Sequence, residues 1–515
     1  MYESRGRYCG VLLPVASLPG PRGIGDLGGE ARAFADFLAA ALVTHWQILP
    51  LGPTGYGNSP YAARSAFAGS ELLIDLDDLA ARGLLEQRDL DASLARGGRI
   101  DYGRVEAVKL PALKKAARAF LGTPRKSADD LSAGNFAAFR EKEAYWLDDY
   151  SLFRVLCEKY GDARWHSVWD GAEARRDPRA LERVRSENKA AVLEWQALQF
   201  FFDCQWRRLK KYVNARGIAI IGDIPIFVAP DSADSWSRPD LLQMDTNGRY
   251  AFVSGVPPDY FSVTGQLWGN PVYDWEAMKA ENYRWWKARI RRLMEQVDLF
   301  RIDHFRGFDE YWAVPAAAAT AETGEWKKGP GNEFFAALKA ELGPLPVIAE
   351  DLGFMTESVA LLRESQGFPG MKVCQFGFED MRGGALDARH LFLPHNYGYL
   401  WAAYTGTHDN DTAAGWFEAL DGADQKTAAA YLDCERNGAA AAAAMVRAVM
   451  ASHAAYAIFP VQDLLGLGSG ARINTPASCG AHNWSWRLSA QPPAETAERF
   501  AALSALYARK PVSAP

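Results

Sequence analysis

The sequence predicts an α/β protein built on a (β/α)8 TIM barrel, with long, mainly helical insertions after strands two and three and no C-terminal β-sandwich. Three observations carry this. Eight short runs rich in Val, Ile and Leu recur along the 515-residue chain, several flanked by amphipathic helical patterns, which marks βα units and a largely parallel sheet. Four of the runs end in an ionisable residue, the position at which a barrel keeps its chemistry. Two connections are far too long for a plain βα link, and both leave the C-terminal end of a proposed strand. An open, doubly wound sheet is the competing topology.

The runs cover residues 10–15, 46–51, 218–227, 298–304, 346–351, 371–378, 401–409 and 455–463. Helical periodicity covers 29–43 after the first run and 283–296 before the fourth. Eight parallel units joined by right-handed crossovers close naturally into a cylinder. Residues 52–217 form the first insertion, with a helical pattern over 194–212; residues 228–297 form the second, rich in Pro, Gly, Tyr and Trp. Residues 1–515 therefore read as one barrel domain with two excursions.

Composition narrows the function. With 49% apolar and 23% charged residues there is material for a large core. The net charge is −6, from 57 Lys+Arg against 63 Asp+Glu, and no basic stripe stands out, so no nucleic-acid partner is expected. The six cysteines are scattered without a C-x-x-C, which suits buried free thiols in a reducing compartment. No apolar signal region follows the N-terminus, and the Ala-rich stretch from Gly438 is interrupted by Arg447. The expectation is a cytoplasmic protein without a membrane partner; nothing in the pattern specifies an oligomeric state. Seventeen Trp, 20 Tyr and 26 Phe would suit sugar faces, although aromatics more often fill cores.

The strand ends carry the chemistry. They read Gly222-Asp223-Ile224-Pro225, Arg301-Ile302-Asp303-His304, Ala349-Glu350-Asp351 and Thr407-His408-Asp409-Asn410. One Asp at such a point could simply cap the next helix. Four acids, two beside a His and one two residues after an Arg, point further. Arg301 and Asp303 share a strand face and can converge, with the Arg favouring the ionised carboxylate. A retaining glycosidic mechanism needs such equipment: two carboxyl groups about 5–5.5 Å apart, one nucleophile and one proton donor, with a third anion for an oxocarbenium-like centre.

Other motifs read as structural. Gly23-Ile24-Gly25-Asp26-Leu27-Gly28 matches G-x-G-x-x-G, but prolines separate it from the first run and no acid ends the second, as a dinucleotide site requires. Asp75-Leu76-Asp77 has D-x-D spacing but follows the strand-like run 72–74, and reads as a strand or turn. No H-E-x-x-H or close Cys/His set occurs, so no metal is predicted.

The chain resembles the 4-α-glucanotransferase family (amylomaltase, or disproportionating enzyme) of the α-amylase clan. The resemblance runs nearly end to end, through S-L-P-G at 17–20, W-Q-I-L-P-L-G-P-T-G-Y-G at 46–57, S-P-Y at 59–61, S-A-F-A-G at 65–69, G-D-I-P-I at 222–226 and the strand ends above. Its most specific stretch is G-V-P-P-D-Y-F-S at 255–262 continuing into G-Q-L-W-G-N-P at 265–271. Asn58, where the family commonly has Asp, and Ala62-Ala63-Arg64, in place of a more polar run, depart from the pattern. The resemblance implies Asp303 as nucleophile, Glu350 as general acid/base and Asp409 as transition-state stabiliser. Tyr61, Asp223, Arg301, His304 and His408 would surround the sugar at the cleavage point. Tyr260, Phe261, Gln266 and Trp268 would belong to a loop covering the groove, 255–271, and Tyr56 to a secondary glucan site. Substrates would be α-1,4-glucans and maltooligosaccharides, with no cofactor. A strict α-glucan hydrolase and a non-catalytic glucan-binding barrel are the rival readings.

Overall fold

Each of the eight apolar runs contributes one strand to a single parallel sheet in the computed structural model, which describes residues 6–90, 94, 97–122, 130–258 and 262–510. In chain order the strands are β1 (Tyr8–Leu12), β2 (His45–Gln47), β3 (Ala219–Ile224), β4 (Phe252–Val256), β5 (Gln266–Pro271) and β6 (Leu299–Ile302). They continue with β7 (Glu310–Pro315), β8 (Glu325–Lys328), β9 (Val347–Ala349), β10 (Gly370–Val373), β11 (Trp401–Tyr404) and β12 (Tyr456–Pro460). The parallel sheet runs β10-β11-β12-β1-β2-β3-β6-β9. The Ala349 N–H donates to Pro369 O at 2.8 Å, which brings β9 back against the start of β10 and closes the ring. The (β/α)8 barrel is thus the architecture, not an open sheet.

Alternate residues fill the cylinder. Leu12, Ile221, Ile348, Met371, Val373, Ala402, Tyr404 and Ile458 form an apolar cluster of their own, and Tyr404 donates across it to Gln47 Oε1 at 2.9 Å. The outward-facing residues join a larger core shared with the surrounding helices. Strands buried on both faces have no polar side to show, so they read as unbroken apolar runs.

Residues 52–217 carry the long helices Tyr102–Gly122, Ala133–Tyr160 and Lys189–Asn214. The last of these holds the loop that follows β2. Gln199 exchanges hydrogen bonds with both backbone groups of Gly69 at 2.9 Å, and Gln205 does the same to Asp75 at 2.7 and 3.0 Å. A Cβ at Gly69 would lie 2.1 Å from the Phe202 ring, so the close approach demands glycine.

Residues 228–297 hold the helices Ala233–Ser237, Trp275–Ala280 and Arg284–Gln296 and, beside them, two strands that the sequence reading did not single out. The strands are β4 and β5, which join β7 and β8 in an antiparallel sheet of order β5-β4-β7-β8. The hairpin β7–β8 comes from a third excursion, between β6 and β9, that the sequence reading did not single out. These strands are short and their partners lie across the insertion boundary, so no local periodicity announces them.

The decoy motifs have structural work. Gly25 lies where a Cβ would sit 2.1 Å from Val15 O. The run before Asp75 is not a strand: Glu71–Leu73 is a 3-10 turn. Asp75 then caps the helix Leu76–Ala81 by accepting from the Asp77 N–H at 2.9 Å, while Asp77 pairs with Arg22 at 2.7 Å. All six cysteines are free; Cys9, Cys157, Cys204 and Cys374 are buried, Cys434 is partly so, and Cys479 is exposed. Among the described residues no helix is long and apolar enough to cross a membrane.

Candidate active site

The floor of the cleft is an ion-pair network made by neighbouring strands. β3 and β6 pair in register so that Asp223 stands beside Arg301. The buried Arg301 guanidinium donates through Nη1 to both Asp223 oxygens, at 2.9 and 3.0 Å, and its Nη2 lies 2.8 Å from Asp303 Oδ1. Asp303, two residues on, leaves the strand with its N–H on Ile224 O at 3.0 Å. One guanidinium therefore orients two carboxylates in fixed geometry. Tyr61 adds a third donor, its OH giving a 2.8 Å bond to Asp223 Oδ2. Burial pushes Asp223 up to about 6, with the Arg301 charge pulling the other way. Burial, then the Asp223 charge, holds the Tyr61 phenol far above its ordinary value, so it stays a donor.

Glu350 follows β9 and is gripped by backbone. Its Oε2 accepts from the His304 N–H at 2.7 Å and its Oε1 from the Leu352 N–H at 2.9 Å. Burial nevertheless pushes its carboxyl up to about 7; Asp303 adds to the rise, while Arg301 and the two N–H donors oppose it. His304 sits at φ 52°, and this left-handed turn presents its N–H to Glu350. Burial and the Arg306 charge hold the His304 ring down to about 3, a neutral imidazole. Trp268 packs edge-on against it, centroids 4.7 Å apart.

Asp409, after β11, behaves oppositely. Burial alone would raise it, but His408, the Asn474 amide and Arg301 outweigh that and hold it at about 2. Its Oδ1 accepts from Asn474 Nδ2 at 2.6 Å, and its Oδ2 lies 3.3 Å from His408 Nε2. Arg472 donates to the Asp409 carbonyl at 2.6 Å and to the Asn474 carbonyl at 2.7 Å. The wall is aromatic: Tyr61 stacks on His408 at 5.1 Å, and Trp484 lies 5.7 Å from Tyr61 and 5.8 Å from His408. Contacts thus run from Glu350 through the His304 turn to Asp303, then through Arg301, Asp223, Tyr61 and His408 to Asp409.

A family model described as 4-alpha-glucanotransferase matches residues 13–492. The chain belongs to the 4-alpha-glucanotransferase family. It is 48% identical to the 4-alpha-glucanotransferase of Synechocystis sp., over 93% of this chain and 94% of that one. It is 45% identical to the enzyme of that name from Thermus thermophilus, over 94% and 95%. The solved amylomaltase from Streptococcus agalactiae in complex with acarbose superposes with a TM-score of 0.90 at 36% identity, covering 98% of this chain and 100% of that chain. The protein is accordingly a transferase acting on α-1,4-glucans.

The remaining residues that the family resemblance singled out lie further out. Gln266 and Trp268 stand on β5, joined by a 3.3 Å bond from Trp268 Nε1 to Gln266 Oε1. Tyr56 is 75% exposed on the turn Tyr56–Asn58, next to the turn Pro60–Ala62 that carries Tyr61. Tyr260 and Phe261 lie outside the described residues. The sequence reading missed Asn474, Arg472 and Trp484. They occupy an irregular stretch beyond β12, and the one available signal was a pair of tryptophans, Trp484 and Trp486, in a segment with no periodicity.

Proposed function

We propose that the protein transfers glucan segments by double displacement. Asp303 attacks the anomeric carbon while Glu350 gives its proton to the departing glycosidic oxygen; the C1–O bond to the leaving glucan breaks as a C1–O bond to Asp303 forms. Glu350, now a carboxylate, then takes the proton of an acceptor 4-hydroxyl, whose oxygen displaces Asp303. Asp409 stays anionic beside the positive centre. Asp223, Tyr61, Arg301 and His408 hold the sugar being transferred, and neutral His304 offers a ring hydrogen bond. No oxidant or cofactor enters this balance.

The observation that carries the reading is the split between two carboxyl groups of one cleft, Glu350 at about 7 and Asp409 at about 2. Environments that drive such values apart separate a proton donor from a permanent anion. Trp268 and Gln266 would help the covering loop, with Tyr260 and Phe261, to exclude water and retain an acceptor. Tyr56, exposed outside the cleft, suits a secondary glucan contact. The free cysteines suit a reducing cytoplasm.

Incubation with maltotriose tests the reading. Longer oligosaccharides together with glucose are expected. Shortening alone would make the protein a hydrolase, and unchanged maltotriose a binder.

A further inference from the structure

Outside the ring of residues already described, an aromatic pair is fixed to the two loops that carry the reacting groups. Phe354, on the loop after Glu350, is 70% exposed, and Trp326, on β8, is 37% exposed. Single exposed apolar side chains are ordinary; what sets these apart is their support. The Arg306 guanidinium lies 4.1 Å from the Trp326 ring centroid and 5.6 Å from that of Phe354. It also donates through Nη1 to the Phe354 carbonyl. Arg306 is itself buried, and its Nε and Nη2 have no hydrogen-bond partner among the described residues. A buried guanidinium that leaves donors unpaired is costly, and here its contacts are spent on holding two rings in place. Trp312 braces Trp326 edge-on at 5.2 Å.

Their attachment to the segments that follow Asp303 and Glu350 identifies the occupant. Arg306 is three residues beyond Asp303 and Phe354 four beyond Glu350, and the intervening His304 N–H already binds Glu350. The groups assigned to the transferred sugar, Asp223, Tyr61, His408 and Asp409, follow one another in contact on the other side of Arg301 from Glu350. A general acid sits on the side of the bond occupied by the departing chain, which is also the side the acceptor enters. Exposed rings with fixed planes match the apolar faces of successive glucose units. On the double-displacement reading, we propose that Phe354 and Trp326, clamped by Arg306, form a stacking platform for the acceptor glucan beyond its first sugar.

Such a platform makes acceptor choice depend on length. The test gives the enzyme amylose as donor, with radiolabelled glucose and reducing-end-labelled maltotetraose competing as acceptors, and reads label in lengthened products. Wild type should prefer maltotetraose. Phe354→Ala and Trp326→Ala should each lower that preference about five- to tenfold, the size of one lost stacking contact, and Phe354→Tyr should restore it. An unchanged preference in both Ala variants overturns the platform. So does an equal loss with both acceptors, which would make these residues mere supports of the Glu350 loop. Extension of neither acceptor by wild type would bring down the transferase reading, and the platform with it.

Discussion

Glu350→Gln should sharply lower turnover and yet make the protein relatively more stable as pH rises. Burial moves this carboxyl from its ordinary 4.5 to about 7, so the folded protein holds a proton that the unfolded chain has released. The sign follows: the contribution is fully present below about 4.5, declines as pH rises, and is lost once pH passes about 7. At about 1.4 kcal/mol per pH unit the full swing is about 3.5 kcal/mol, an upper bound because the group keeps some contact with solvent. Gln does not titrate, but it can accept only one of the bonds from His304 and Leu352, a loss of about 1–2 kcal/mol at every pH. Urea midpoints should therefore show the variant weaker than wild type at pH 4.5 and equal or stronger at pH 8. Its kcat should fall by about 10²–10⁴, the value of a positioned proton donor. In wild type, kcat/KM should fall about tenfold per pH unit above about 7. A stability difference that stays flat across this range, or full activity at pH 9, would refute the assignment of a buried, protonated Glu350.

Asp303→Asn should lower turnover by at least about 10⁴ while leaving the urea midpoint nearly unchanged, since Arg301 keeps Asp223 as partner; activity within tenfold of wild type would remove Asp303 as nucleophile. Trp268→Ala should reduce transfer more than hydrolysis, read as oligosaccharide growth against reducing-sugar release, and an unchanged ratio would rule out a covering role for that ring. Asn474→Ala removes the 2.6 Å bond to Asp409. A hydrogen bond to a charged group is worth about 1.5–3 kcal/mol, so kcat should drop about ten- to a hundredfold with KM little moved; an unaltered kcat would show that Asp409 needs no such support.

The barrel was legible because its strands are buried on both faces, and a rim carboxylate after such a run is conspicuous: Asp303, Glu350 and Asp409 all stand in that position. The pairing of Asp223 with Arg301 was not legible, because it depends on the register of β3 against β6, two strands 78 residues apart at this contact. The β7–β8 hairpin was hidden for a related reason. β8 reads Glu-Trp-Lys-Lys with three of four residues exposed, and only its partner β7, itself held by β4, makes it a strand. Asn474 was hidden in another way: nothing about an Asn in an irregular stretch says which carboxylate its amide will reach.

His304 shows where reading side chains alone falls short. From the sequence it is an imidazole beside a nucleophile, and its ring invites a role with sugar hydroxyls. In the structure its backbone also acts. A non-glycine residue at φ 52° is uncommon and carries some strain, and here the left-handed turn points the N–H at Glu350 Oε2 while the ring meets Trp268. That N–H opposes the rise of Glu350 toward a higher value, and it fixes the acid relative to the nucleophile one residue earlier. The placement of the proton donor thus rests on a peptide group, and peptide groups are the same in every sequence. What marks this one out is the dihedral angle at His304, which emerges only once β6 and β9 are packed side by side.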